Sequence, residues 1–167
     1  MALLNVLHFP HPRLRLKAEP VESVTPDIVQ ILDDMLETMY ADRGVGLAAT
    51  QVNIQKRLIV MDVSDDYNEP SFFINPEILS TEGQKEFEEG CLSVPGVYEK
   101  VKRAEKVIFK YLDKNNQYQT IHAEGLLADC IQHEIDHLDG KLFIDHLSTM
   151  KQERIRKKLK KQERYRL

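Results

Sequence analysis

Gly125-Leu126-Leu127-Ala128-Asp129-Cys130-Ile131-Gln132-His133-Glu134-Ile135-Asp136-His137-Leu138 is the segment from which the rest of the chain is read. It predicts a helix, with Gly140 just beyond it as a C-terminal cap. Histidines at i and i+4 project from one helical face a turn apart, so both rings can reach one metal ion. Glu134 lies between them, where it can handle protons on a metal-bound water. The alternative is an exposed, charged turn of helix, which the apolar residues around the motif disfavour. Two histidines need a third ligand. Cys130 lies on nearly the same face, but it is seven residues from His137, about 10 Å along the axis, too far to share an ion with bonds of ~2 Å. Cys130 is therefore read as a small buried hydrophobe beside the site. His122, His146 and Cys91 remain as distant candidates.

Of these, Cys91 has the most suggestive setting, Glu89-Gly90-Cys91-Leu92-Ser93-Val94-Pro95. Gly90 allows close backbone approach and Pro95 is expected to end strand pairing, which puts Cys91 on a strand rim or in a tight loop. Alone, Cys91 reads as an ordinary core cysteine. With the helix motif it reads as a ligand, since one thiolate and two imidazoles leave a position open for water or substrate. A third segment, Gly44-Val45-Gly46-Leu47-Ala48-Ala49-Thr50-Gln51, lacks the Lys-Ser/Thr ending of a phosphate loop. Its small residues permit close approach of another chain, and the Gln51 amide can donate toward a developing oxyanion.

Outward from these segments, Thr25 and Pro26 predict the start of a helix whose apolar stripe (Ile28, Ile31, Leu32, Met35, Leu36, Met39) ends near Arg43-Gly44. Leu58–Val63 reads as a buried strand, and Phe72–Ile74 as a short one ended by Asn75-Pro76. Val107–Phe109 and Tyr118–Ile121 read as a hairpin around Asn115-Asn116. Ser148 caps a final helix carrying Met150, Ile155 and Leu159 on one side. The expected class is α+β: mixed or antiparallel strands around a central metal-binding helix, with N- and C-terminal helices. The expected organisation is one catalytic domain, 1–147, with a basic C-terminal helix, 148–167, extending from it.

The chain has 167 residues, 42% hydrophobic and 30% charged, as expected for one globular domain. No apolar run approaches the ~20 residues that span a bilayer, so no membrane partner is expected. Met1–Leu7 lacks a basic flank, so no cleaved leader is expected. Two cysteines point to a reducing compartment, the cytoplasm. The net charge of −4 is uneven: residues 151–167 hold nine basic and two acidic side chains, leaving −11 on the first 150. An acidic body makes DNA an unexpected partner.

Gly44–Gln51, Glu89–Ser93 and His133–His137, in that order, resemble the three signature motifs of the peptide deformylase family. The likeness extends to Arg13-Leu14-Arg15, Ile74-Asn75-Pro76, Arg103-Ala104-Glu105 and Gln132, nearly the whole chain, in its bacterial type 1 form. The resemblance implies hydrolysis of the N-formyl group from formylmethionine at the start of nascent polypeptides, with release of formate. It puts the metal ligands on Cys91, His133 and His137 and the general base and acid on Glu134. The oxyanion donors it implies are the Gln51 side chain and the Leu92 backbone N–H. It puts Val45, Leu126 and Cys130 in the methionine pocket, and Gly46 and Glu89 against the substrate backbone and side-chain stem. The implied metal is one Fe(II), replaceable by Zn, Ni or Co, in a monomer whose basic C-terminal helix docks near the ribosomal exit tunnel.

Two departures stand out. Asp129 occupies a position where relatives often carry an apolar pocket residue, and Gly96-Val97-Tyr98 replaces a stretch that often includes a basic one. Two rival readings are a zinc endopeptidase and a non-catalytic ribosome-binding module. The endopeptidase would take its third ligand downstream, where only 30 residues follow His137, and the intact Glu134 argues against the non-catalytic module.

Overall fold

The computed structural model describes residues 2–164, so the last three residues of the basic tail lie outside the described residues. Helix α1 (Pro26–Ala41) starts where the Thr25 hydroxyl accepts the Ile28 N–H at 3.3 Å. Strands β1 (Gly46–Ala48), β2 (Leu58–Met61), β3 (Ser71–Glu82), β6 (Lys106–Leu112) and β7 (Tyr118–Glu124) form one antiparallel sheet in the order β1-β2-β3-β6-β7. Strands β4 (Lys85–Cys91) and β5 (Val94–Arg103) form a separate hairpin. Helices α2 (Gly125–Leu138) and α3 (Thr149–Arg164) complete the α+β fold.

The continuous apolar run of β2 follows from its being covered on both faces. Leu58 and Val60 pack with Leu32, Met35 and Met39 of α1, whereas Ile59 and Met61 pack with Ile131, Ile135 and Leu138 of α2. The second set fixes how α2 lies. Its apolar stripe faces the sheet, which turns His133 and His137 toward the hairpin and Glu134 toward Gly46 of β1. Gly140 (φ 78°) ends the helix, its N–H reaching His137 O at 3.0 Å. Arg15 O would lie 2.4 Å from a Cβ at this position. A third core joins Val94, Val97 and Val101 of the hairpin to Ile155 and Leu159 of α3.

Three expectations are corrected. Asn75-Pro76 does not end a strand. Asn75 (φ 51°) forms a bulge while its side chain bonds the Val21 N–H and C=O at 2.8 Å each, and β3 continues to Glu82. Pro95 does not end pairing, because a two-stranded hairpin has free outer edges that tolerate a missing donor. β2 stops at Met61, since Asp62 turns its carboxylate into the following loop to accept from Tyr40 Oη, Ser64 N and Ser64 Oγ.

Candidate metal centre

Cys91 is the last residue of β4, and Leu92-Ser93 make the two-residue turn into β5, with Cys91 paired to Val94. A register shift at Gly90 bends the strand end toward α2. The Cys91 Sγ lies 3.2 Å from His137 Nε2, which lies 3.2 Å from His133 Nε2, and all three donor atoms fall within 4.8 Å of one another. Two nitrogens bonded to one ion at ~2.0 Å sit roughly 3.3 Å apart, so the set fits a single ion. His122 is on β7 and exposed, and half-exposed His146 bonds Asp136 instead.

Of the candidate ligands, His133 is held from behind. His133 Nδ1 donates to Glu89 Oε1 at 2.7 Å, which leaves its Nε2 lone pair for a metal. Arg103 grips both oxygens of the same carboxylate, Nε to Oε2 at 2.6 Å and Nη2 to Oε1 at 2.9 Å, and its Nη1 reaches Asp136 at 2.7 Å. Burial alone would raise the Glu89 carboxyl, but Arg103 and His133 hold it down at about 2. Glu89 borders the cleft with both its oxygens already engaged. Burial and the adjacent His133 push His137 well below the usual imidazole range, favouring the neutral form that ligates.

Glu134 is different. It is 4% exposed, its Oε1 has no hydrogen-bond partner among the described residues, and burial raises its carboxyl to about 7. Its Oε2 lies against Gly46, where an added Cβ would come within 2.6 Å. The Gly-Val-Gly motif thus makes room for this carboxyl. Gln51 is fully buried, its Oε1 taking the Ala48 N–H at 2.9 Å and its Nε2 reaching Ser93 Oγ at 3.0 Å and Cys91 Sγ at 3.5 Å. Leu92 sits in the turn beside Cys91, its side chain against Gly44.

A cleft of about 470 Å³ opens onto Cys91, Leu92, His133 and Glu134. Val45 and Gly46 form one rim, Leu126, Asp129 and Cys130 of α2 line it beside His133, and Tyr98 crosses over Gly90 on the hairpin side. Burial pushes the Cys130 thiol far up, the state of an inert hydrophobe. β1 is an edge strand, with its unpaired backbone side available to an extended peptide. Sequence reasoning gave no role to the supports: Arg103, Asp136 and Ser93, quoted only inside motifs, and Tyr67, whose hydroxyl donates to Gly44 O at 2.5 Å.

A soft thiolate, two imidazoles and an unpartnered carboxyl at the floor of an open cleft define a metal-dependent hydrolase. The family model described as Polypeptide deformylase matches residues 3–153. The peptide deformylases of Azotobacter vinelandii and Pseudomonas aeruginosa are each 60% identical, over 98% of this chain and 98% of theirs. Among solved structures, a Legionella pneumophila peptide deformylase superposes with a TM-score of 0.93 at 51% identity, covering 98% of this chain and 96% of that one. An Ehrlichia chaffeensis peptide deformylase in complex with actinonin gives 0.94 at 42%, covering 98% and 99%. The chain belongs to the peptide deformylase family. It is an enzyme that removes the N-formyl group from nascent polypeptides.

Proposed function

We propose that one divalent ion held by Cys91, His133 and His137 serves this deformylation, with Glu134 as the proton carrier. The observation that supports this is the meeting of one thiolate and two ε-nitrogens, from opposite sides of the cleft, beside a carboxyl with an unpaired buried oxygen. The ion we assign is Fe(II), with Zn, Ni or Co as substitutes. When bound, such an ion supplies Lewis-acid polarisation and lowers the pKa of a water it holds.

The chain's own groups do the rest. Glu134 takes the proton of the attacking water and returns one to the amine as the formyl C–N bond breaks, giving formate and a free N-terminus. The Gln51 amide and the Leu92 N–H face the oxygen on which negative charge develops. Val45, Leu126 and Cys130 receive the methionine side chain. Gly46 on edge strand β1 and the Glu89 backbone meet the substrate main chain.

Residues 1–147 form the catalytic domain, and the basic helix extends from it, anchored by Ile155 and Leu159. Arg154, Lys157, Lys160 and Lys161 are exposed on α3, a surface suited to ribosomal RNA near the exit tunnel. Replacing these four by glutamine should weaken ribosome co-sedimentation and flatten its salt dependence; undiminished binding would remove α3 from this role. All donors come from one chain, and the two thiols are free, which favours a monomer in the reducing cytoplasm.

Anaerobic purification with metal analysis, paired with formate release from a formyl-Met peptide, tests the proposal. Expected are one ion per chain, loss of turnover with a chelator, and recovery with Fe(II) or Co(II). Turnover that survives complete metal removal would refute it. Cleavage of an amino-blocked peptide at an internal bond would favour an endopeptidase instead.

A further inference from the structure

Asp129 is a buried charged residue of the cleft to which the hydrolytic mechanism gives no task. On α2, Leu126, Asp129, Cys130 and His133 fall at i, i+3, i+4 and i+7, one face, and all four border the cleft. Asp129 is 2% exposed. Its Oδ2 is 3.2 Å from Lys85 Nζ of β4, whereas its Oδ1 has no hydrogen-bond partner among the described residues. Burial raises the carboxyl above the ordinary aspartate range, and Lys85 opposes that rise.

An unpaired buried carboxylate oxygen costs free energy that a donor on a bound ligand recovers. The neighbours Leu126 and Cys130 offer no competing acceptor of comparable strength. A methionine thioether has no N–H or O–H to give, so methionine gains nothing from Oδ1. A side chain of similar length ending in an amide N–H does gain.

We infer that Asp129, anchored by Lys85, makes the wall of the first-side-chain pocket a hydrogen-bond acceptor, so that accepted substrates extend from formylmethionine to N-formyl peptides whose first side chain ends in an N–H donor, glutamine being the length-matched case. This rests on the reading of the cleft proposed above. Specificity of this kind is set by the polar partner, because a pocket polar group left unpaired penalises the analogue that lacks the donor.

The test uses the purified metal-loaded enzyme and three formyl peptides differing only in the first residue. These are methionine, glutamine, and the methyl-ketone isostere of glutamine, which keeps shape and carbonyl but has no N–H. In the wild type, kcat/KM for glutamine should exceed that for the ketone by roughly ten-fold. Asp129→Leu should bring the two within about two-fold. Should that variant fail to fold, Asp129→Asn, matched in shape but a weaker acceptor, should cut the preference by about three-fold or more. Equal turnover of the two peptides by the wild type, or a preference undiminished in the variants, overturns the inference. Turnover of the formyl-Met peptide reports on the activity itself, and so separates failure of that reading from failure of this one.

Discussion

Two sets of buried polar groups flank helix α2, and they differ in one respect. Behind the candidate ligands, buried Glu89 and Arg103, half-buried Asp136 and the Nδ1 of His133 satisfy one another at 2.6–2.9 Å. On the cleft side, Glu134 and Asp129 each keep an oxygen with no partner among the described residues, although both are at least as deeply enclosed as a core side chain. Satisfied burial fixes geometry, whereas unsatisfied burial leaves capacity for a substrate or a proton. The same helix supplies both because its residues alternate between the sheet, the hairpin and the cleft.

The sharpest break between the two sets is Glu134→Ala. It should lower kcat by about 10³–10⁴-fold with metal content unchanged, read by formate release and metal analysis; near-normal turnover would erase the distinction. Arg103→Met works on the other set, leaving Glu89 charged and buried. It should cost ~3–5 kcal/mol in urea unfolding and weaken metal binding about 10–100-fold in chelator competition. Gly46→Ala brings a methyl group against the Glu134 carboxyl and should cut kcat by about 10²-fold with little change in KM, since misplacement alone has that effect. Tyr67→Phe removes the hydrogen bond on Gly44 O and, with it, about 1 kcal/mol of support for the cleft rim. A rise of a few-fold in KM with kcat held would show that this loop positions substrate, and an unchanged KM would confine it to stability.

The helices were legible from the sequence because their periodicity and caps agree. Thr25 and the Ile28–Met39 stripe give α1, and Ser148 with Ile155 and Leu159 gives α3. The metal motif was legible because chemistry, not propensity, dictates His at i and i+4. The β4–β5 hairpin was not. Its Lys85–Arg103 span alternates charged residues with a few apolar ones, and nothing local marks Glu89 and Arg103 as buried partners while Glu86, Glu88 and Lys102 are exposed. Arg103 entered only as part of a resembling motif, since its role depends on Asp136 33 residues away. The length of β3 was hidden for a similar reason. Asn75-Pro76 carries a strong local turn signal, and it is the long-range bond to Val21 that turns it into a bulge.

Cobalt spectroscopy examines the ligand set directly. Enzyme reconstituted anaerobically with one equivalent of Co(II) should show a thiolate-to-cobalt charge-transfer band and a tetrahedral d–d envelope. Cys91→Ser should abolish the charge-transfer band, whereas Cys130→Ser should leave it intact. A band that survives in Cys91→Ser, or disappears in Cys130→Ser, would contradict the Cys91–His133–His137 centre.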